Sequence, residues 1–203
     1  MERIAVMTDT NSSITAEEAG KLGIFLSKMP FSIDGEEYVE DVNCTYDEFC
    51  ERLDNGAEVS TAQPVLGDLL DSWDTILETY DKLLYIPMSS ALSGSCETAA
   101  AMAQDYDGRV LVIDNKRISI SQRRSALDAL VMIERGMSAE DIKTYLENDS
   151  FNSSIYLAVN TLELLKKSGR VTAAGAATQR SDFSLSRSRS TISTASRCAF
   201  SGL

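Results

Sequence analysis

The sequence predicts an α/β protein: a three-layer N-terminal domain on a parallel sheet over 1–150, and the start of a second domain over 151–177. Three observations carry this expectation. Apolar runs of strand length, Arg3-Ile4-Ala5-Val6-Met7-Thr8, Lys82-Leu83-Leu84-Tyr85-Ile86 and Val110-Leu111-Val112-Ile113, read as buried strands. Between them stand segments with helix caps and helical periodicity. Strands that alternate with helices in this way build parallel sheets, whose ligands gather at the carboxyl ends of the strands.

Taken in order, the first strand ends at Asp9-Thr10-Asn11-Ser12-Ser13, and Thr15 with Glu18 forms a capping-box signature for a helix that Gly23 can end. Ile24-Phe25-Leu26 is a second extended stretch, followed by a hairpin over 31–39 with Asp34-Gly35 as its two-residue turn. Thr45 and Glu48 make another capping box, opening a helix that closes near Gly56. After Ser60-Thr61-Ala62-Gln63-Pro64, with Pro64 suited to a first helical turn, Leu66, Leu69, Leu70, Trp73, Ile76, Leu77 and Tyr80 form one apolar helix face. A strand over 82–86, a Ser-rich turn, an Ala-rich helix over 97–104 and a strand over 110–113 follow. A helix over 121–135 stops at Gly136, and Ser138 with Asp141 starts another that carries Ile142, Tyr145 and Leu146 inward. Ser154-Ile155-Tyr156-Leu157-Ala158-Val159 restarts a strand, and Thr161 to Arg170 reads as a short amphipathic helix ended by Gly169.

Composition narrows the chemistry. The 203 residues are 43% hydrophobic, enough for a substantial core, and no run of eighteen apolar residues occurs. Met1-Glu2-Arg3-Ile4 has no signal-like apolar region, and the four cysteines (Cys44, Cys50, Cys96, Cys198) have no zinc-like spacing, so a reduced, cytoplasmic protein is expected. A net charge of −12 repels phosphate backbones and argues against nucleic acid as a partner. The chain contains no histidine, which removes Ser-His-Asp and Cys-His triads and most zinc enzymes.

The stretch Ser89-Ser90-Ala91-Leu92-Ser93-Gly94-Ser95-Cys96 lies between a strand and a helix. The first N–H groups of a helix lack intrahelical acceptors and favour negative charge. Ser93 beside them suits either a helix cap or a site for a carboxylate or phosphate, and the local residues leave both open. Thr61 is a second hydroxyl at a helix entrance. Asp9-Thr10, Thr61 and residues 89–94 all follow extended segments, so they are expected to converge on one sheet edge. Arg170, by itself, reads equally well as a solvated charge after a helix cap.

The chain resembles the DegV family of fatty-acid-binding proteins. The stretches that carry the resemblance are Val6-Met7-Thr8-Asp9-Thr10-Asn11-Ser12-Ser13, Ser60-Thr61-Ala62-Gln63-Pro64, Ser89-Ser90-Ala91-Leu92-Ser93-Gly94-Ser95, Val112-Ile113-Asp114-Asn115 and Asn160-Thr161-Leu162-Glu163-Leu164-Leu165-Lys166-Lys167-Ser168-Gly169-Arg170. Family members usually have Ser where Ala62 stands and a second Gly where Ser168 stands. The resemblance implies a non-catalytic carrier without a cofactor. A long-chain fatty acid would be held by its carboxylate at Thr61, Ser93 and Gly94, with Arg170 at the headgroup mouth or partner-docking surface. It further implies a fatty acid kinase subunit as the partner that makes the acyl phosphate, and it is compatible with transient contact with a membrane surface. The second domain would be α+β, contribute part of the acyl-chain tunnel, and be incomplete here.

From Thr178 the character changes: serines alternate with Arg180, Arg187, Arg189 and Arg197, and Asp182 is the one acidic residue. The segment 178–203 has neither strand nor helix period and is expected to be disordered or out of frame. Two other readings stand beside the carrier. Asp9-x-Asn11-x-Ser13 after a strand loosely resembles the Asp-x-Asp-x-Thr loop of magnesium-dependent haloacid-dehalogenase-like phosphatases, with Asp9 as nucleophile, although the second Asp is missing. A regulatory or structural remnant is the third.

Overall fold

The computed structural model describes residues 2–39, 42–154, 165–166 and 169–170. Its elements are β1 (Ile4–Asp9), α1 (Ala16–Leu22), β2 (Ile24–Ser27), β3 (Pro30–Ile33), β4 (Glu36–Val39), α2 (Tyr46–Asp54), β5 (Val59–Thr61), α3 (Leu66–Leu77), β6 (Lys82–Ile86), α4 (Ser95–Met102), β7 (Val110–Val112), α5 (Ser119–Glu134) and α6 (Ala139–Asn148).

Capping chemistry sets several of these boundaries. Thr15 accepts from the Glu18 N–H to start α1, and Thr45 and Glu48 complete a reciprocal capping box at α2. Asp34 and Gly35 both have positive φ (52° and 86°), the conformation a two-residue hairpin turn between β3 and β4 demands. Two expectations shift. α3 begins at Leu66 with Val65 as its N-cap, so Pro64 lies ahead of the helix rather than in its first turn. In α6, Ile142 and Leu146 are buried, but Tyr145 is 54% exposed. The inward stripe there follows Ala139, Ile142 and Leu146, and Tyr145 falls to one side of it.

Four parallel strands form the main sheet in the order β2-β1-β6-β7, giving the predicted α/β architecture. Alternate residues of β1 enter different cores. Ile4 and Val6 join Leu84, Ile86, Ala126, Ala129, Ile142 and Leu146 on the side of α1, α5 and α6. Ala5 and Met7 join Leu69, Trp73, Leu83, Tyr85 and Ala99 on the side of α3 and α4. Helices, sheet and helices therefore make three layers. Trp73 is fully buried and meets Tyr85 and Tyr106 edge-on, with ring centroids 5.7 and 5.4 Å away.

The hairpin does not join that sheet. β3 pairs antiparallel with both β4 and β5, giving a separate sheet in the order β4-β3-β5. Its core is its own: Phe31, Ile33 and Tyr38 pack with Cys44 and Phe49. Thr61 ends β5 opposite Phe31. The strand expected over 154–159 and the 178–203 tail lie outside the described residues, apart from Ser154, which is not in a strand.

Candidate functional site

The loop that leaves the carboxyl end of β6 is fixed first at its root. Asp9, the last residue of β1, is fully buried. Its Oδ2 accepts from the Met88 N–H (2.7 Å), and its Oδ1 accepts from the Asn11 N–H (3.0 Å) and from Gln122 Nε2 (3.0 Å) on α5. The Thr8 hydroxyl donates to the Ile86 carbonyl at 2.7 Å. Burial raises the Asp9 pKa against the pull of these hydrogen bonds.

This arrangement corrects the reading of Asp9 as a phosphatase nucleophile. With no exposed surface and both oxygens taken by neighbouring donors, its carboxylate ties β1 to the β6–α4 loop and does not face a substrate. Among the described residues, no group of three or more cysteine, aspartate and glutamate side chains is arranged to hold a metal ion.

The same loop is held further along. Ser89 N–H donates to the Arg117 carbonyl (2.8 Å), and Ser90 N–H to Asp114 Oδ1 (3.3 Å). Lys116 Nζ donates to Ser90 Oγ (2.5 Å) and pairs with Asp114. Burial would raise the Asp114 carboxyl, but hydrogen bonds from Lys116 and Ser90 outweigh it and hold that group below its ordinary value. The N–H groups of Leu92 and Ser93 donate back to the Ser89 carbonyl at 3.0 and 3.2 Å, closing the turn.

At the tip of the loop, Gly94 is the N-cap of α4 and supplies no side-chain cap. Ser93 stands one residue earlier, and its Oγ accepts from the Ser95 N–H at 3.2 Å. The Gly94 N–H has no acceptor among the described residues. Across the gap, Thr61 Oγ1 accepts from Arg170 Nη2 at 3.0 Å. Arg170 Nε donates to the Leu92 carbonyl at 3.2 Å, so one guanidinium spans both walls.

Between these walls lies a cleft of about 430 Å³. Thr61, Ala62 and Gln63 form one side, residues 90–94 form the other, and Gly169 with Arg170 completes the lining. Buried Met29 and Met88 line it as well, and they pack with Ile118 and Leu92 in a small apolar cluster. A hydroxyl carries one proton and two acceptor lone pairs. Thr61 and Ser93 already accept from protein donors, which leaves their O–H protons for a ligand. Together with the Gly94 N–H and the Arg170 charge, they make a surface of donors suited to an anion with two oxygens.

Thr61, Ser93, Gly94 and Arg170, far apart in sequence, thus line one cleft. Gln63, Met29, Met88 and Leu92 also line it, and sequence reasoning gave them no role. Gln63 had a signal, since it lies two residues from Thr61 in the same short motif. The methionines carried none.

Fold and site together define an α/β protein with a donor-lined cleft beyond the carboxyl ends of its parallel strands. The chain belongs to the DegV family, whose model, described as "Uncharacterised protein, DegV family", matches residues 3–180. A solved DegV family protein from Thermus thermophilus, described for its fatty acid binding, is 30% identical with a TM-score of 0.75 over 85% of this chain and 62% of its own. DegV from Bacillus subtilis, described as a fatty acid binding protein, is 28% identical with a TM-score of 0.78 over 86% of this chain and 63% of its own. A DegV domain-containing protein of Staphylococcus aureus is 28% identical over 171 residues, 84% of this chain and 61% of that protein. The chain therefore spans about six tenths of the length of these relatives. Among the described residues no helix is long and apolar enough to cross a membrane.

Proposed function

We propose that this protein is a non-catalytic, cytoplasmic carrier that holds a long-chain fatty acid by its carboxylate. In this reading the hydroxyls of Thr61 and Ser93 and the N–H of Gly94 donate to the carboxylate oxygens, and Arg170 supplies positive charge at the mouth. The observation that carries the reading is the convergence of these donors on one cleft. Both hydroxyls have their oxygens engaged by protein N–H groups, at 3.0 and 3.2 Å, and so offer protons to the cleft. The fatty-acid-binding descriptions of the Thermus thermophilus and Bacillus subtilis relatives support the choice of a lipid acid over other anions.

Energetics divide the work between head and tail. Each hydrogen bond to a charged group contributes roughly 1.5–3 kcal/mol. Burial of a sixteen-carbon chain is worth about 0.8 kcal/mol per methylene, on the order of 10 kcal/mol in all. The tail would then dominate affinity, while Thr61 and Ser93 fix headgroup identity and orientation. Met29, Met88 and Leu92 offer the first apolar contacts for the chain.

The finer reading is that the carrier presents its acid to a fatty acid kinase subunit for acyl-phosphate formation. The position of Arg170, bridging Thr61 and Leu92 at the cleft, supports it, since a cation there would stand beside a bound carboxylate and within reach of a docked partner. Calorimetric titration with palmitate tests the carrier reading. Saturable one-to-one binding is expected, weakened about hundredfold or more in a Thr61→Val, Ser93→Ala double variant. Absence of binding, or a double variant that binds as well as the parent, overturns it.

A further inference from the structure

We propose that Gln63 is a further headgroup-binding residue, donating from Nε2 to an ionised carboxylate and so selecting acids over neutral lipids of the same length. The inference rests on the fatty-acid reading and adds a residue that strengthens its preference for a charged headgroup. Gln63 lines the cleft two residues after Thr61, and its side-chain amide is held rather than free. The Thr98 hydroxyl, on the first turn of α4, donates to Gln63 Oε1 at 3.0 Å. With the oxygen engaged there, Nε2 is turned toward Gly94, and it has no acceptor among the described residues.

Gly94 explains why the amide can lie there. Its backbone angles, φ −69° and ψ −4°, are open to any residue, so conformation alone does not call for glycine. A Cβ at this position would come 3.0 Å from Gln63 Nε2, the far end of a flexible side chain, and would displace the amide. The missing side chain therefore lets the amide lie against the entrance of α4, where the Gly94 N–H has no acceptor among the described residues. Two uncharged N–H donors from different elements, Gln63 Nε2 and the Gly94 N–H, then line the same cleft as the Ser93 hydroxyl. A neutral ester or alcohol headgroup cannot accept from all of them with the strength of a carboxylate.

The test is calorimetric titration of the parent protein, Gln63→Glu and Gln63→Ala with palmitate and with hexadecan-1-ol, above the titration range of the fatty acid. Glutamate keeps an acceptor for Thr98 and replaces the donor by a negative oxygen. Palmitate affinity is expected to fall by roughly three- to tenfold in Gln63→Ala, less than a full charged hydrogen bond because Gln63 is exposed and water replaces part of it, and by about tenfold or more in Gln63→Glu through like-charge repulsion. Hexadecanol affinity is expected to stay within about twofold of the parent in both, since the lost bond is specific to the charged acceptor. Gly94→Ala, which pushes the amide away, should lower palmitate affinity without adding charge. Equal losses for acid and alcohol would show that Gln63 only shapes the cleft and would overturn the proposal, as would unchanged palmitate binding in Gln63→Glu. A parent protein that binds hexadecanol but not palmitate, or neither, would instead sink the carrier reading, and this proposal would fall with it.

Discussion

Ser93→Ala separates ligand binding from folding, because the hydroxyl has a different duty in each. Toward the ligand it is a donor, and its loss removes one hydrogen bond to a charged oxygen, worth roughly 1.5–3 kcal/mol. That is a loss of about ten- to 150-fold in fatty-acid affinity. Toward the protein it is an acceptor for the Ser95 N–H at 3.2 Å. Ser93 is only partly buried, so water can take over that role. The cost to stability is then about 0.5–1 kcal/mol, the net worth of a neutral hydrogen bond. In a domain of this size such a cost lowers Tm by only about 1–4 °C. Palmitate calorimetry and thermal unfolding, run on the same preparation, read the two effects separately. Palmitate affinity within twofold of the parent would refute the headgroup assignment, and a Tm loss well beyond that range would show that Ser93 chiefly holds the loop. Adding Thr61→Val should reveal coupling between the two sites of about 0.5 kcal/mol or more, because both grip one carboxylate.

Other perturbations address the frame around the cleft. Trp73→Ala empties the centre of the core beneath α3 and should cost about 3–5 kcal/mol in denaturant unfolding. Asp9→Asn should cost about 1–3 kcal/mol by the same assay. Whichever way the new amide turns, its NH₂ faces a donor, either the Met88 N–H or the Asn11 N–H with Gln122. Asp149 gives a pH signature: a hydrogen bond from the Asn152 side chain, and then the guanidinium of buried Arg117, hold its carboxyl below the usual value. Because the folded pKa is depressed, this stabilisation is present above the ordinary carboxylate range and is lost as pH falls through the depressed value. Asp149→Asn should therefore flatten the acid limb of a Tm-against-pH curve, and an unchanged limb would contradict the assignment.

Much of this architecture is legible because its signals are local. The Thr15 and Thr45 caps, the Asp34-Gly35 turn and the buried runs at 4–8, 82–86 and 110–113 each lie within a few residues. The parallel sheet follows from alternation alone, and with it the expectation that loops after the strands share an edge. Long-range pairing is what local patterns do not carry. Nothing near Val59 or Thr61 announces that this short strand pairs with Phe31 and Ile33 instead of joining the parallel sheet. The tie from Gln122 to Asp9 spans 113 positions, and its polar residue sits in a helix whose other signals are ordinary. Tyr145 illustrates a finer failure: it falls near the apolar stripe of α6, yet the arc that faces the sheet is narrow enough to leave it outside.

The separate packing of the two sheets gives the cleft a mechanical character. Thr61 is carried by a small body with its own aromatic centre, whereas Ser93 and Gly94 ride on the large one, so the pair works like the jaws of a caliper. Arg170 is the crossbar between them, donating to Thr61 on one jaw and to the Leu92 carbonyl on the other.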